Sequence, residues 1–250
     1  MNSAYHLFSY YYDKLNHDVN YASISQYIHA QLLRKGITSG IVTDLGCGTG
    51  ELTLRFAKLG YDMISVDLSQ EMLSITQQKA SKANLSNILL LNQSFDELDL
   101  YGTMKACFST FDSLNHVGPS DLFEATISRI SLFLEQGGLF IFDVNSLYKH
   151  EEVLGNNTFY FDENEFSFKW NNFWDAQAQT TKITLTLSKK NKIEFTESFV
   201  EYFYSPFYIK QILNNNNFSL LELIDGDSFS PVTEATQRYL YVAQKHDIKE

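Results

Sequence analysis

The sequence has little that would tie it to an oxidising compartment, a membrane or a polyanion. Only two cysteines occur in 250 residues, Cys47 and Cys107. They form neither a C-x-x-C pair nor any metal-ligand spacing, so a disulfide framework and a thiolate metal site both lack a basis, and no metal is expected. The three prolines, Pro119, Pro206 and Pro231, each fall near an apparent element boundary, and no proline-rich linker divides the chain. No run of about 18 apolar residues appears, which excludes a spanning helix of ordinary length. The opening MNSAYHLFSYYYDKL lacks the basic and apolar regions of a secretory signal, so a cytoplasmic setting is expected. Positive charge is scarce: 19 Lys and Arg stand against 30 Asp and Glu, a formal net charge of -11. That balance disfavours a general affinity for nucleic acid or for an anionic membrane surface, though it leaves room for a local basic groove.

What is present is the composition of a globular chain with 44% hydrophobic residues and enough length for one large domain, or one domain carrying an insertion. Up to residue 145 strand and helix signals alternate. Apolar runs at 41–45, 63–66, 88–91, 106–111 and 139–144 read as strands. Helical spacing appears in 21–33 (Ile24, Ile28, Leu32), 51–59 (Leu54, Phe56, Leu59) and 122–134, and Ser69 precedes Met72, Leu73 and Ile75 as a cap would. Such alternation implies an α/β fold with a mostly parallel sheet covered by helices on both faces. After residue 145 the texture changes. Four consecutive strand-like runs lie at 158–161, 166–174, 182–188 and 193–204; in KITLTLS, Ile183, Leu185 and Leu187 alternate with polar neighbours. This stretch reads as a small inserted antiparallel β-sheet. A helix at 207–213 and strands at 220–224 and 238–243 complete the main sheet. The expected organisation is a domain of residues 1–145 and 205–250, with 146–204 as an inserted substrate lid or dimerisation subdomain in a monomer or homodimer.

The segment IVTDLGCGTGELTLRFAKLGYDMISVDLSQEML (41–73) carries the chemistry. Gly46, Gly48 and Gly50 lie between a strand and a helix, where backbone N–H groups are exposed and a ligand can approach the main chain closely. Asp67, at the tip of the next strand and 21 residues beyond Gly46, is placed to accept hydrogen bonds from ribose hydroxyls. The spacing is not G-x-G-x-x-G. Asp44 and Glu51 flank the turn, and a pyrophosphate would avoid such a site. A ribonucleoside with a positively charged reacting end suits it, as S-adenosylmethionine does with its ammonium and sulfonium groups.

VTDLGCGTGEL and SVDLSQEML resemble the first two motifs of class I S-adenosylmethionine-dependent methyltransferases, particularly those acting on small molecules. FDSLNHV and LEQGGLFIFDVNS extend the resemblance over roughly residues 40–145. It implies a Rossmann-like seven-stranded sheet with its last strand antiparallel. It also implies methyl transfer from S-adenosyl-L-methionine, giving S-adenosyl-L-homocysteine, to N or O of a small molecule. Asp44 and the backbone from Gly46 through Cys47 and Gly48 to Gly50 would hold the methionine part, and Asp67 the ribose. Leu68 and Met72 would line the adenine pocket, with Ser94 and Phe95 also at the adenine. Similar families more often have Asp where Ser94 stands, which weakens the contact expected there. The Phe111 backbone would touch the methionine portion.

In-line displacement at a methyl carbon needs positioning and exclusion of water more than a fixed catalytic triad. Asp112 and His116, at the end of the fourth strand, are candidates to orient or deprotonate the acceptor. Asp143 and Asn145 point to the cleft edge, where bonding a loop is the expected role. The tyrosine-rich segment 5–21 would fold over the cofactor, with Tyr12 and Tyr21 offering an aromatic face or phenol to the sulfonium and Tyr12 a further catalytic candidate. The aromatic insert, with Phe159, Phe161, Phe168, Trp170, Phe173 and Trp174, would roof the acceptor or form a dimer interface. The competing readings are an RNA or protein methyltransferase and a non-catalytic module that binds the cofactor. The first is opposed by the acidic balance and by the absence of an N-P-P-Y-like motif after the fourth strand. A dehydrogenase fits least, because of the charge around the glycines.

Overall fold

Alternation of apolar runs with amphipathic segments builds the main layer. In the computed structural model, which describes residues 4–162, 166–189 and 192–246, the runs become β1 (Ile41–Leu45), β2 (Asp62–Val66), β3 (Ile88–Leu91), β4 (Met104–Ser109), β5 (Leu134–Asn145), β10 (Phe218–Asp225) and β11 (Arg238–Lys245). They form one seven-stranded sheet in the order β10-β11-β5-β4-β1-β2-β3. β1 through β5 pair in parallel, whereas β11 runs antiparallel to both β5 and β10. The strand order reverses between β1 and β4, and in open sheets of this type ligands collect outside the carboxyl ends of the strands at that point.

The central strands of the sheet are buried on both faces. On one side α2 (Tyr21–Arg34) and α3 (Glu51–Lys58) set Ile28, Leu32 and Phe56 against Val42, Phe108 and Ile141. On the other, α5 (Ser120–Phe133) and α6 (Pro206–Asn215) set Phe123, Ile127, Ile209 and Leu213 against Phe140 and Phe142. α4 (Gln70–Lys82) starts where the Ser69 hydroxyl accepts the Met72 N–H at 3.2 Å, the expected cap.

Between β5 and α6 the chain forms a second, four-stranded antiparallel sheet: β6 (Thr158–Asp162), β7 (Ser167–Asp175), β8 (Thr180–Lys189) and β9 (Lys192–Tyr202). Its inner face presents Phe168, Leu185, Leu187 and Phe195, all buried. Residues near the start of the chain form a helix, α1 (Ala4–Leu15), that bridges the two sheets. Tyr11 meets Phe166 and Phe168 edge-on, with ring centroids 4.7 and 5.7 Å apart. Two residues on, Asp13 accepts a hydrogen bond from Thr49 Oγ1 at 2.5 Å and an ion pair from Lys79 Nζ at 2.7 Å. Among the described residues no helix is long and apolar enough to cross a membrane, and both cysteines are buried and free.

The observed bounds differ from the sequence reading in two instructive places. β4 stops at Ser109, not at residue 111, because Phe111 and Asp112 adopt φ of 58° and 57°, values that end a strand. β5 begins at Leu134, ahead of the Gly137-Gly138 pair, because Leu134 already pairs with Met104.

Candidate active site

The glycine turn is fastened from below. The Gly46 and Cys47 N–H groups donate to the Val66 carbonyl at 2.8 and 3.0 Å. Gly46 has φ of 83°, and a Cβ there would lie 2.6 Å from Ser113 Oγ, so no other residue fits without movement. Gly48, with φ of 51°, directs its N–H to Asp67 Oδ2 at 2.8 Å. Gly50 behaves differently. Its N–H is spent on the Cys47 carbonyl at 2.9 Å, it caps α3, and a Cβ there would run into Thr76 Cγ2 at 2.5 Å. Gly50 thus shapes the turn from behind and does not line the cavity.

Asp44, only 3% exposed, accepts the Thr53 hydroxyl at 2.6 Å. Burial pushes its pKa up to about 7, the Thr53 bond opposing. It lines a small recess with Tyr12, Tyr21, Cys47 and Phe111. The Asp67 carboxylate accepts both the Gly48 N–H and, through Oδ1, the Ser69 N–H at 2.8 Å. Burial raises its pKa, and those backbone bonds pull it back.

The recess opens into a cavity of about 940 Å³ that reaches from Gly46, Gly48 and Asp67 to the inserted sheet. Leu68, Met72, Ser94, Phe95, Phe111, Asp112 and His116 all line it. Met72 is buried, whereas Leu68 is 71% exposed. The Ser94 hydroxyl donates weakly to Glu97 at 3.4 Å. Tyr12 borders both spaces; burial raises its pKa and that of Tyr21, the latter to about 12. Tyr21 meets Phe111 edge-on with centroids 5.1 Å apart.

The turn after β4 is held by Asp143, which accepts the Phe111 N–H at 2.9 Å and the Asp112 N–H at 2.7 Å. That bidentate grip sustains two successive non-glycine residues at positive φ, each costing about 1 kcal/mol or more. The Phe111 N–H is therefore already engaged. Arg238 lies over the Phe111 ring at 5.2 Å and pairs with Asp227. Asp143 and Asn145 bond loop and neighbour, as the sequence suggested.

Asp112 belongs to a polar box. His116 Nε2 lies 4.0 Å from Asp112 Oδ1 and 3.9 Å from Glu201 Oε1. Asn145 Nδ2 donates to Glu201 Oε2 at 2.9 Å and to Asp112 Oδ2 at 3.2 Å. His116 exposes 37% of its side chain, but towards the cavity it lines. Burial by the surrounding protein lowers its pKa, and Asp112 opposes the shift. Glu201, 3% exposed, is pushed well up by burial and then by Asp112. Three ligand atoms from Asp112, His116 and Glu201 lie within 4.8 Å of one another, so the box has the donor set to take either an ammonium or a metal ion.

Sequence reasoning passed over Glu197, Glu201 and Arg238. A signal existed for the glutamates: on β9, Phe195, Glu197, Phe199 and Glu201 share one face at period two, which sets acids on an apolar wall. Seven carboxylates line the large cavity against His116 and Arg238. Such a lining repels a diphosphate and favours a cation.

Residues 42–138 match the model of a methyltransferase domain. The chain is 30% identical over 247 residues to a protein of Geobacillus sp. (strain WCH70) assigned to the methyltransferases, covering 97% of this chain and 100% of that one. It superimposes on an S-adenosylmethionine-dependent methyltransferase from Clostridium acetobutylicum ATCC 824 with a TM-score of 0.87 and 29% identity, over 97% and 99% of the two chains. Fold alone relates it to S-adenosylmethionine-bound CalS10, an amino pentose methyltransferase from Micromonospora echinaspora, at 15% identity, a TM-score of 0.73 and coverage of 94% and 96%. With the glycine turn, the acidic lining and the antiparallel last strand, these likenesses lead to one conclusion: the chain belongs to the class I S-adenosylmethionine-dependent methyltransferases.

Proposed function

We propose that this methyltransferase acts on a nitrogen or oxygen of a small molecule held between the glycine turn and the inserted sheet. The observation that carries the reading is the single cavity shared by Gly46, Gly48 and Asp67 on one wall and Phe168, Trp170, Phe199 and Glu201 on the other. A concave site between the two sheets suits a small acceptor better than a duplex or a protein surface, and its acidic lining opposes RNA.

Bound over the turn, S-adenosylmethionine supplies an electrophilic methyl group on a sulfonium. Asp67 would hold the ribose hydroxyls on the carboxylate oxygens that now take the Gly48 and Ser69 N–H groups. Asp44 and the recess beside it would receive the methionine ammonium, and Met72, Leu68, Ser94 and Phe95 would enclose the adenine. Tyr12 and Tyr21 would shield the reacting end from water beneath α1. Asp112, His116 and Glu201 would orient the acceptor, and the neutral imidazole would take up its proton. No step in this scheme needs a metal, and residues 146–204 would act as the roof over the acceptor.

The test is turnover of methyl-labelled S-adenosylmethionine against a panel of amines, amino sugars, phenols and carboxylates, with tRNA and protein substrates alongside. Label in a small molecule supports the reading. Label in RNA or protein, or binding without transfer to any acceptor, overturns it in favour of the macromolecular or sensor alternative.

A further inference from the structure

The far wall of the cavity holds a carboxylate that the scheme above does not use. Glu197 lines the cavity, is 8% exposed, and its Oε2 is inaccessible to solvent without a hydrogen-bond partner. Its cross-strand neighbour on β8 is Leu185, which in turn faces Trp170 on β7. An acid placed among such groups loses hydration, a cost that a cation held at its carboxylate from the cavity side would offset. Burial accordingly raises its pKa.

Glu197 and Glu201 lie on the same face of β9, four residues and about 13 Å apart along the strand at the usual rise. Between them on that face stands Phe199, whose ring also meets His116 with centroids 5.1 Å apart. Ile183 pairs with Phe199 across the sheet. The wall therefore reads, in order, acid, apolar surface, acid. No Lys or Arg among the described residues of the inserted sheet lines the cavity; its guanidinium, Arg238, comes from β11 and is paired with Asp227.

We propose that the acceptor is a linear diamine or polyamine. One nitrogen sits in the Asp112–His116–Glu201 box to receive the methyl group, the methylene spacer lies on Phe199, and a second, protonated nitrogen pairs with Glu197. A sugar would need hydroxyl partners along the middle of this wall, where the side chains are apolar. The inference rests on the methyltransferase reading above. Methyl transfer here forms an N–C bond as the S–C bond breaks, the electron pair returns to sulfur, and the proton displaced from nitrogen passes to His116.

Calorimetry separates the two levels. The protein is first titrated with S-adenosylhomocysteine, then, saturated with it, with spermidine, 1,5-diaminopentane and, as a one-nitrogen control, hexylamine. The expected result is at least tenfold tighter binding of a diamine or spermidine than of hexylamine, with Glu197→Gln reducing that preference to less than threefold while S-adenosylhomocysteine binding is unchanged. Product binding with equal affinity for all three amines, or with no amine bound, overturns this inference and leaves the cofactor reading intact. An unaltered diamine preference in Glu197→Gln overturns it as well. No uptake of S-adenosylhomocysteine by the wild type removes the reading on which it stands.

Discussion

Asp67 offers the sharpest test of the cofactor assignment. Its carboxylate, which lines the cavity, already accepts two backbone N–H groups at 2.8 Å, one on each oxygen. In the proposed complex two ribose hydroxyls add to the same group. Hydrogen bonds to a charged acceptor contribute about 1.5–3 kcal/mol each, against about 1 kcal/mol for a neutral one. Asp67→Asn keeps the shape, retains one neutral acceptor and turns an amide donor towards groups that are themselves donors. The loss is then at least about 2 kcal/mol, or roughly 30-fold in Kd. S-adenosylhomocysteine is the ligand to titrate, because it lacks the sulfonium and so isolates the ribose contacts from the attraction between net charges. Urea denaturation in parallel reports whether the turn survives, since Gly48 and Ser69 share the same carboxylate. A change in Kd of threefold or less, with the variant folded, would refute the assignment of the ribose to Asp67.

The parallel core of the fold was legible because each strand from β1 to β5 contains an apolar run, buried in β1, β4 and β5 and half-buried in the edge strand β3, and each helix between them carries its apolar residues at helical spacing. The glycine turn and Asp67 were legible for a different reason. Positive φ at Gly46 and Gly48 restricts the residue type locally, so the chemistry is written in adjacent positions. The polar box of Asp112, His116 and Glu201 was half legible. Asp112 and His116 sit in one short segment, but Glu201 arrives from β9, nearly ninety residues on, through a pairing of layers that no local pattern encodes. The role of Asp143 was visible as an acid at a strand end; its bidentate hold on Phe111 and Asp112 was not, because nothing in FDSLNHV announces two positive φ values at non-glycine residues. The tyrosines of α1 marked a segment whose Tyr12 borders the site, whereas its anchorage through Asp13 to Thr49 and Lys79 joins side chains of α1, the glycine turn and α4.

Three further perturbations probe separate parts of the molecule. Gly46→Ala forces a Cβ to within 2.6 Å of Ser113 Oγ at φ of 83°; overpacking and left-handed strain together predict a loss of about 2–5 kcal/mol in urea denaturation, and a loss under 0.5 kcal/mol would show that the turn yields freely. His116→Ala is expected to slow methyl transfer at least tenfold while the Kd for S-adenosylhomocysteine stays within twofold; full single-turnover activity would reduce His116 to a wall of the cavity. The last concerns acid stability. His150 is fully buried, its Nδ1 bonds Thr181 Oγ1 at 2.7 Å, and burial lowers its pKa to about 4. In the unfolded chain the imidazole takes a proton near pH 6.5, so between about pH 6.5 and 4 the unfolded state binds more protons and the fold weakens as pH falls. At about 1.4 kcal/mol per pH step the ceiling is near 3.5 kcal/mol. His150→Gln, which cannot titrate, should flatten that part of the stability–pH profile even if its stability at pH 7 is lower; an unchanged slope between pH 6.5 and 4 would place the acid sensitivity elsewhere, with the buried carboxylates excluded as its source because raised acid pKa values favour the fold as pH falls.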